Sequence, residues 1–106
     1  MLSGRYLFVF VAMIWGMNAV PANAATIQVT IDKLVFSPVE VKAEVGDTIT
    51  WINKDIVVHT ATARGHWDVM IPANESASLV LTKAGIVEYY CRFHPNMKGR
   101  ITIAPE

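Results

Sequence analysis

The sequence predicts an all-β fold, a small antiparallel sandwich of two sheets with Greek-key connections. Three observations carry this expectation. Apolar and polar residues alternate with a period of two through much of the chain beyond residue 25, as they do in strands with one buried face. No segment of ten or more residues repeats its apolar positions every 3.6 residues, so an amphipathic helix has no face to bury. Glycine, proline, asparagine and aspartate recur at short intervals and cut the chain into seven or eight short strands, the spacing of a sandwich rather than of alternating strands and helices.

The first 24 residues stand apart from that pattern. Arg5 precedes an apolar run from Tyr6 to Met17, and Ala22-Asn23-Ala24 places small residues where a signal peptidase reads them. The run falls short of the roughly 20 apolar residues that span a bilayer. Residues 1–24 are therefore expected to be a cleaved signal peptide, leaving residues 25–106 as one exported, periplasmic domain with no membrane insertion.

Within that domain Ile27, Val29 and Ile31 alternate with Thr26, Gln28 and Thr30 to open the first strand. Val39, Val41, Ala43 and Val45 alternate with Glu40, Lys42 and Glu44 in the second. Gly46-Asp47 turns the chain into Thr48 to Asn53, rich in β-branched and aromatic residues. A run from Ile56 to Ala63 comes next, then short strands at Trp67 to Ile71, Ser76 to Thr82, Ile86 to Cys91 and Arg100 to Ile103.

Charge and cysteine content exclude whole classes of function. Nine basic and nine acidic side chains give a net charge of zero, without the basic excess of a nucleic-acid binder. The single cysteine excludes an intramolecular disulfide, a two-cysteine redox pair, c-type haem attachment and four-cysteine zinc or iron–sulfur sites. In an oxidising compartment a lone thiol is either buried and inert or occupied by a metal.

The residues after Cys91 support the metal. In Cys91-Arg92-Phe93-His94-Pro95-Asn96-Met97 a thiol, an imidazole and a thioether fall at i, i+3 and i+6. Pro95 and Gly99 make this a loop between two strands rather than a helix. His59, inside a strand-like run where an imidazole is otherwise unexpected, supplies a fourth donor. One thiolate, two imidazoles and a weak thioether suit a copper ion cycling between Cu(I) and Cu(II). Zinc accepts the same donors, and the affinity order favours copper. Cys91 and Met97 also have plain readings as core residues, and His66 reads as a solvated loop histidine. Trp51, Tyr89 and Tyr90 belong to core or sheet, and Asn53 is a candidate brace for the ligand loops.

On these residues the chain resembles the cupredoxins, the plastocyanin and azurin superfamily, and its short CxxHPxM loop is similar to that of the amicyanin branch. The similarity covers residues 26 to 103: VGDTITWIN, the His59 segment, EYYC and HPNMKG. It implies a single mononuclear type 1 copper ion with His59, Cys91 and His94 as equatorial ligands and Met97 as the axial one. It implies a small soluble electron carrier, expected to act as a monomer in brief contacts with redox proteins such as a donor dehydrogenase or a c-type cytochrome. Two positions depart from the amicyanin pattern. Thr60 stands where asparagine follows the first histidine and helps tie the ligand loops, a task that passes to the Thr60 hydroxyl. Phe93 stands where a proline precedes the second histidine.

No nucleophile–base pair is visible, and a domain this small leaves little room for a substrate cleft, so an enzyme is not expected. A periplasmic copper-binding or trafficking module is the alternative. The exported part holds only Met70 and Met97 among methionines, sparse for copper handling, and the electron carrier is the preferred expectation.

Overall fold

The computed structural model describes residues 24–106; the expected signal peptide lies outside them except for Ala24. The described residues form nine strands: β1 (Thr26–Asp32), β2 (Val35–Ser37), β3 (Glu40–Glu44), β4 (Thr48–Asn53), β5 (His59–Ala63), β6 (Trp67–Ile71), β7 (Ser76–Val80), β8 (Gly85–Cys91) and β9 (His94–Ala104). They are arranged in one sheet of order β2-β1-β4-β7 and a second of order β3-β9-β8-β5-β6. Among the described residues no helix is long and apolar enough to cross a membrane.

The two-sheet sandwich is as expected, but the pairing is not antiparallel throughout. β1 pairs with β4, and β3 with β9, in parallel. Between β1 and β4 the chain passes through β3 in the other sheet, so β4 returns beside β1 in the same direction, which a tight hairpin cannot do. Alternation in a sequence reports which face is buried and is silent about strand direction.

Three elements differ from their sequence reading, the last being β9, which begins at His94 rather than at Arg100. β2 follows Lys33 and Leu34, both left-handed at φ 54° and 63°. This turn lacks the glycine, asparagine or aspartate that usually signals such a conformation, and β2 buries only Phe36. β5 begins at His59 rather than at Ile56. The Asn53 amide donates to the carbonyls of Val57 (2.9 Å), Ile71 (3.2 Å) and Pro72 (3.1 Å). Its carbonyl accepts from Asp55 N at 2.9 Å. That buried side chain curls residues 54–58 into a loop and leaves Ile56, Val57 and Val58 exposed.

The sheets close on an aromatic cluster. Trp51 of β4 and Phe36 of β2 meet Tyr89 of β8 and Trp67 of β6, with ring centroids 4.8–5.7 Å apart. The buried polar ends of this cluster answer one another, since Trp51 Nε1 donates to the Tyr89 hydroxyl at 3.2 Å. Cross-strand from Tyr89 lies Gly99, where a Cβ would stand 2.5 Å from the tyrosine ring; only a residue without a side chain fits. At the opposite edge the buried Asp47 carboxylate accepts from Ala25 N and Glu44 N, each at 2.9 Å. These bonds fasten the start of β1 to the turn before β4.

Candidate metal centre

The strands deliver three donor side chains to one end of the sandwich. β5 opens with His59, β8 closes with Cys91, and β9 opens with His94 after the two-residue turn Arg92-Phe93. The ligand loop expected from Pro95 and Gly99 is a hairpin with a large irregularity. Tyr90 pairs with Lys98 and Cys91 with His94, so Pro95, Asn96 and Met97 are extra residues in the ladder, the first two exposed and Met97 buried.

Cys91 Sγ lies 3.7 Å from His59 Nδ1 and 3.7 Å from His94 Nδ1, and the three donor atoms all fall within 4.8 Å of one another. Two nitrogens and a sulfur bound to one ion at about 2.0 and 2.3 Å, meeting at the roughly 120° of a trigonal site, stand about 3.7 Å apart across each N–S edge. The residues therefore fit a trigonal copper or zinc ion without rearrangement. Met97 is buried and borders, with His94, Phe93, Pro95 and Leu34, a shallow depression at the same end.

His59 and Cys91 are each braced by a neighbouring group. His59 Nε2 stands 2.8 Å from Asp55 Oδ2, a contact that keeps the proton on the remote nitrogen and the Nδ1 lone pair toward the sulfur. The Asp55 carboxylate also accepts from the backbone N–H groups of Lys33 (2.7 Å) and Leu34 (3.0 Å). Desolvation pushes the Asp55 carboxyl up, but the bonds from Leu34, His59 and Lys33 outweigh it and hold the group below the usual carboxylate range. Asp55 was missed by sequence reasoning. Its spacing of four before the histidine was the available signal, but a strand-like run from Ile56 to Ala63 gave no reason to bring the preceding Asp55 back to His59.

Thr60 ties the ligand segments together twice. Its backbone N–H points at Cys91 Sγ at 3.4 Å, and its hydroxyl accepts from Arg92 N at 2.9 Å. The expected task of the Thr60 hydroxyl is thus carried out by a shorter side chain than asparagine. Asn53 braces the loop that leads into His59, as anticipated. His59 and Cys91 are fully buried while His94 is half-buried, so the His94 ring is the one donor with an edge toward solvent.

Comparisons with known proteins place the chain in a family. A family model described as a cupredoxin-like domain matches residues 5–103. Amicyanin of Paracoccus denitrificans is 32% identical over 87 residues, covering 73% of this chain and 64% of that protein. Plastocyanin of Scenedesmus fuscus is 33% identical over 85 residues, covering 66% of this chain and 87% of that one. Among solved structures, the reduced Cu(I) form of an amicyanin mutant at pH 4 superposes with a TM-score of 0.68 at 30% identity, covering 80% of this chain and 86% of that one. A reduced proline-to-phenylalanine mutant of amicyanin gives 0.64 at 33% identity over the same shares.

Proposed function

The chain belongs to the cupredoxin-like family, and on that premise we propose that it is a small type 1 copper protein that carries one electron at a time between periplasmic redox partners. The observation that carries the reading is the position of Cys91 Sγ, 3.7 Å from each of two imidazole nitrogens. His59, Cys91 and His94 are the equatorial ligands and Met97 the axial one. When bound, copper supplies a one-electron couple between Cu(II) and Cu(I).

The residues of this chain determine how well that couple transfers electrons. Asp55 holds His59 from behind, Thr60 N–H points at the cysteine sulfur, and the hairpin turn fixes His94 to the strand that ends in Cys91. Donors held this way move little between oxidation states, which keeps the reorganisation cost of transfer low. Burial of His59 and Cys91 excludes water from the sulfur side. The exposed edge of His94, with Phe93, Pro95 and Leu34 around it, forms an apolar patch suited to brief contact with a donor dehydrogenase or a c-type cytochrome.

The test is a visible spectrum and a voltammogram of the copper-loaded protein. An intense thiolate-to-Cu(II) band that gives a blue colour, lost in Cys91→Ser, together with fast reversible exchange at an electrode, is expected. A colourless Cu(II) protein refutes the ligand assignment. A blue protein with sluggish exchange refutes the carrier and favours a copper-binding module.

A further inference from the structure

Behind the ligand hairpin lies a chain of hydrogen bonds that the metal site itself does not require. Arg92 N donates to Thr60 Oγ1 at 2.9 Å. Thr60 Oγ1 lies 2.9 Å from Thr62 Oγ1, and Thr62 donates to Asp68 Oδ1 at 2.6 Å. Arg92 then returns to the same oxygen through its Nε at 3.1 Å. The path leaves the backbone next to Cys91, crosses β5 to its register partner on β6, and comes back to the residue it started from.

Proton counting gives the chain a direction. A hydroxyl carries one proton. Thr60 Oγ1 accepts the Arg92 N–H on one lone pair and keeps its own proton to give. The contact between the two threonines would serve equally in either direction. The Asp68 carboxylate, which accepts and cannot donate, decides between them. Thr60 is fully buried and Thr62 nearly so, while the Asp68 side chain is 53% exposed, so the inner bonds of the chain are shielded from water and its Asp68 end is not.

We propose, resting on the copper reading above, that Asp68 is a positioning residue of the metal centre: by orienting the Thr62 and Thr60 hydroxyls it holds the Arg92 backbone, and with it the turn that carries Cys91 and His94. The Thr62 hydroxyl, and after it Arg92, hold the Asp68 carboxyl below the usual carboxylate range, as an acceptor at the end of such a chain requires. The same anion steadies the Arg92 guanidinium, which lies 5.3 Å over the Phe93 ring beside His94.

The experiment compares Asp68→Ala, Asp68→Asn, Thr62→Val and the double variant Asp68→Ala/Thr62→Val. Two quantities are read: hydrogen exchange of the Arg92 amide in the metal-free protein, and the reduction potential of the copper protein. Loss of one hydrogen bond from this part-buried chain corresponds to up to about tenfold in an opening equilibrium. Asp68→Ala and Thr62→Val should each speed Arg92 exchange by about that factor and shift the potential in the same direction. The double variant should add nothing further, as expected for members of one chain. Asp68→Asn keeps an accepting oxygen and should stay near wild type. Unchanged Arg92 exchange in Asp68→Ala, additive effects in the double variant, or an Asp68→Asn protein that behaves like Asp68→Ala would each overturn the proposal. Exchange in the metal-free protein needs no copper, so its failure is separable from failure of the blue spectrum.

Discussion

Asp55 Oδ2 lies 2.8 Å from His59 Nε2 while the same carboxylate caps the left-handed Lys33-Leu34 turn. One side chain therefore couples the orientation of the His59 ring to a turn in the opposite sheet. Asp55→Ala is expected to weaken copper binding by about 10- to 100-fold, the usual cost of removing a partner behind a metal-binding histidine. Asp55→Asn retains an acceptor for Nε2 and should lose less. Competition against a chromogenic chelator measures both, and equal affinity in Asp55→Ala and wild type would refute the coupling.

Gly99→Ala should destabilise the fold by roughly 1–3 kcal/mol. The added methyl would sit 2.5–2.7 Å from three atoms of Tyr89. That ring is 2% exposed and wedged among Phe36, Trp51 and Trp67, so it has no room to yield. Urea denaturation of the two proteins gives the difference, and an unchanged midpoint would show that the ring can shift.

Tyr89 also sets an alkaline limit. Burial pushes its phenol up to about 12 from 10.0, with the bond from Trp51 acting in the other direction. A group whose folded pKa is raised favours the fold fully below its unfolded pKa, and that contribution fades as pH climbs through the folded value. Stability should accordingly decline between about pH 10 and 12 by up to roughly 3 kcal/mol. Tyr89→Phe should remove this tyrosine's share of the decline, as read by denaturant melts across that range.

His94→Ala should fold, because the ring is half-buried and lies at the end of the core. Its electron exchange should slow by at least the roughly tenfold that changes behind a ligand commonly cost. Self-exchange measured by NMR line broadening tests this. A wild-type rate would show that the His94 ring is not needed for transfer.

Much of this was legible in the sequence because it depends on local pattern. The alternation of Val41 and Ala43 with charged neighbours marks β3, and TITWIN matches β4 residue for residue. The donors His59, Cys91 and His94 were legible from residue type and spacing. The features that escaped depend on contacts distant in sequence. The parallel pairing of β1 with β4 follows from a crossover, and the loop at 54–58 follows from one buried amide, Asn53, that satisfies three carbonyls. Asp68 was unremarkable in sequence because its partners, Thr62 and Arg92, come together only through the β5–β6 ladder and the ligand hairpin.

The position of β9 bears on assembly. This strand begins with His94 and lies between β3 and β8 rather than at an edge. The ninth strand to be synthesised thus both completes the five-stranded sheet and brings in the final imidazole. A chain that stops at β8 therefore lacks both the strand that joins β3 to β8 and the His94 imidazole, and leaves His59 and Cys91 facing each other alone.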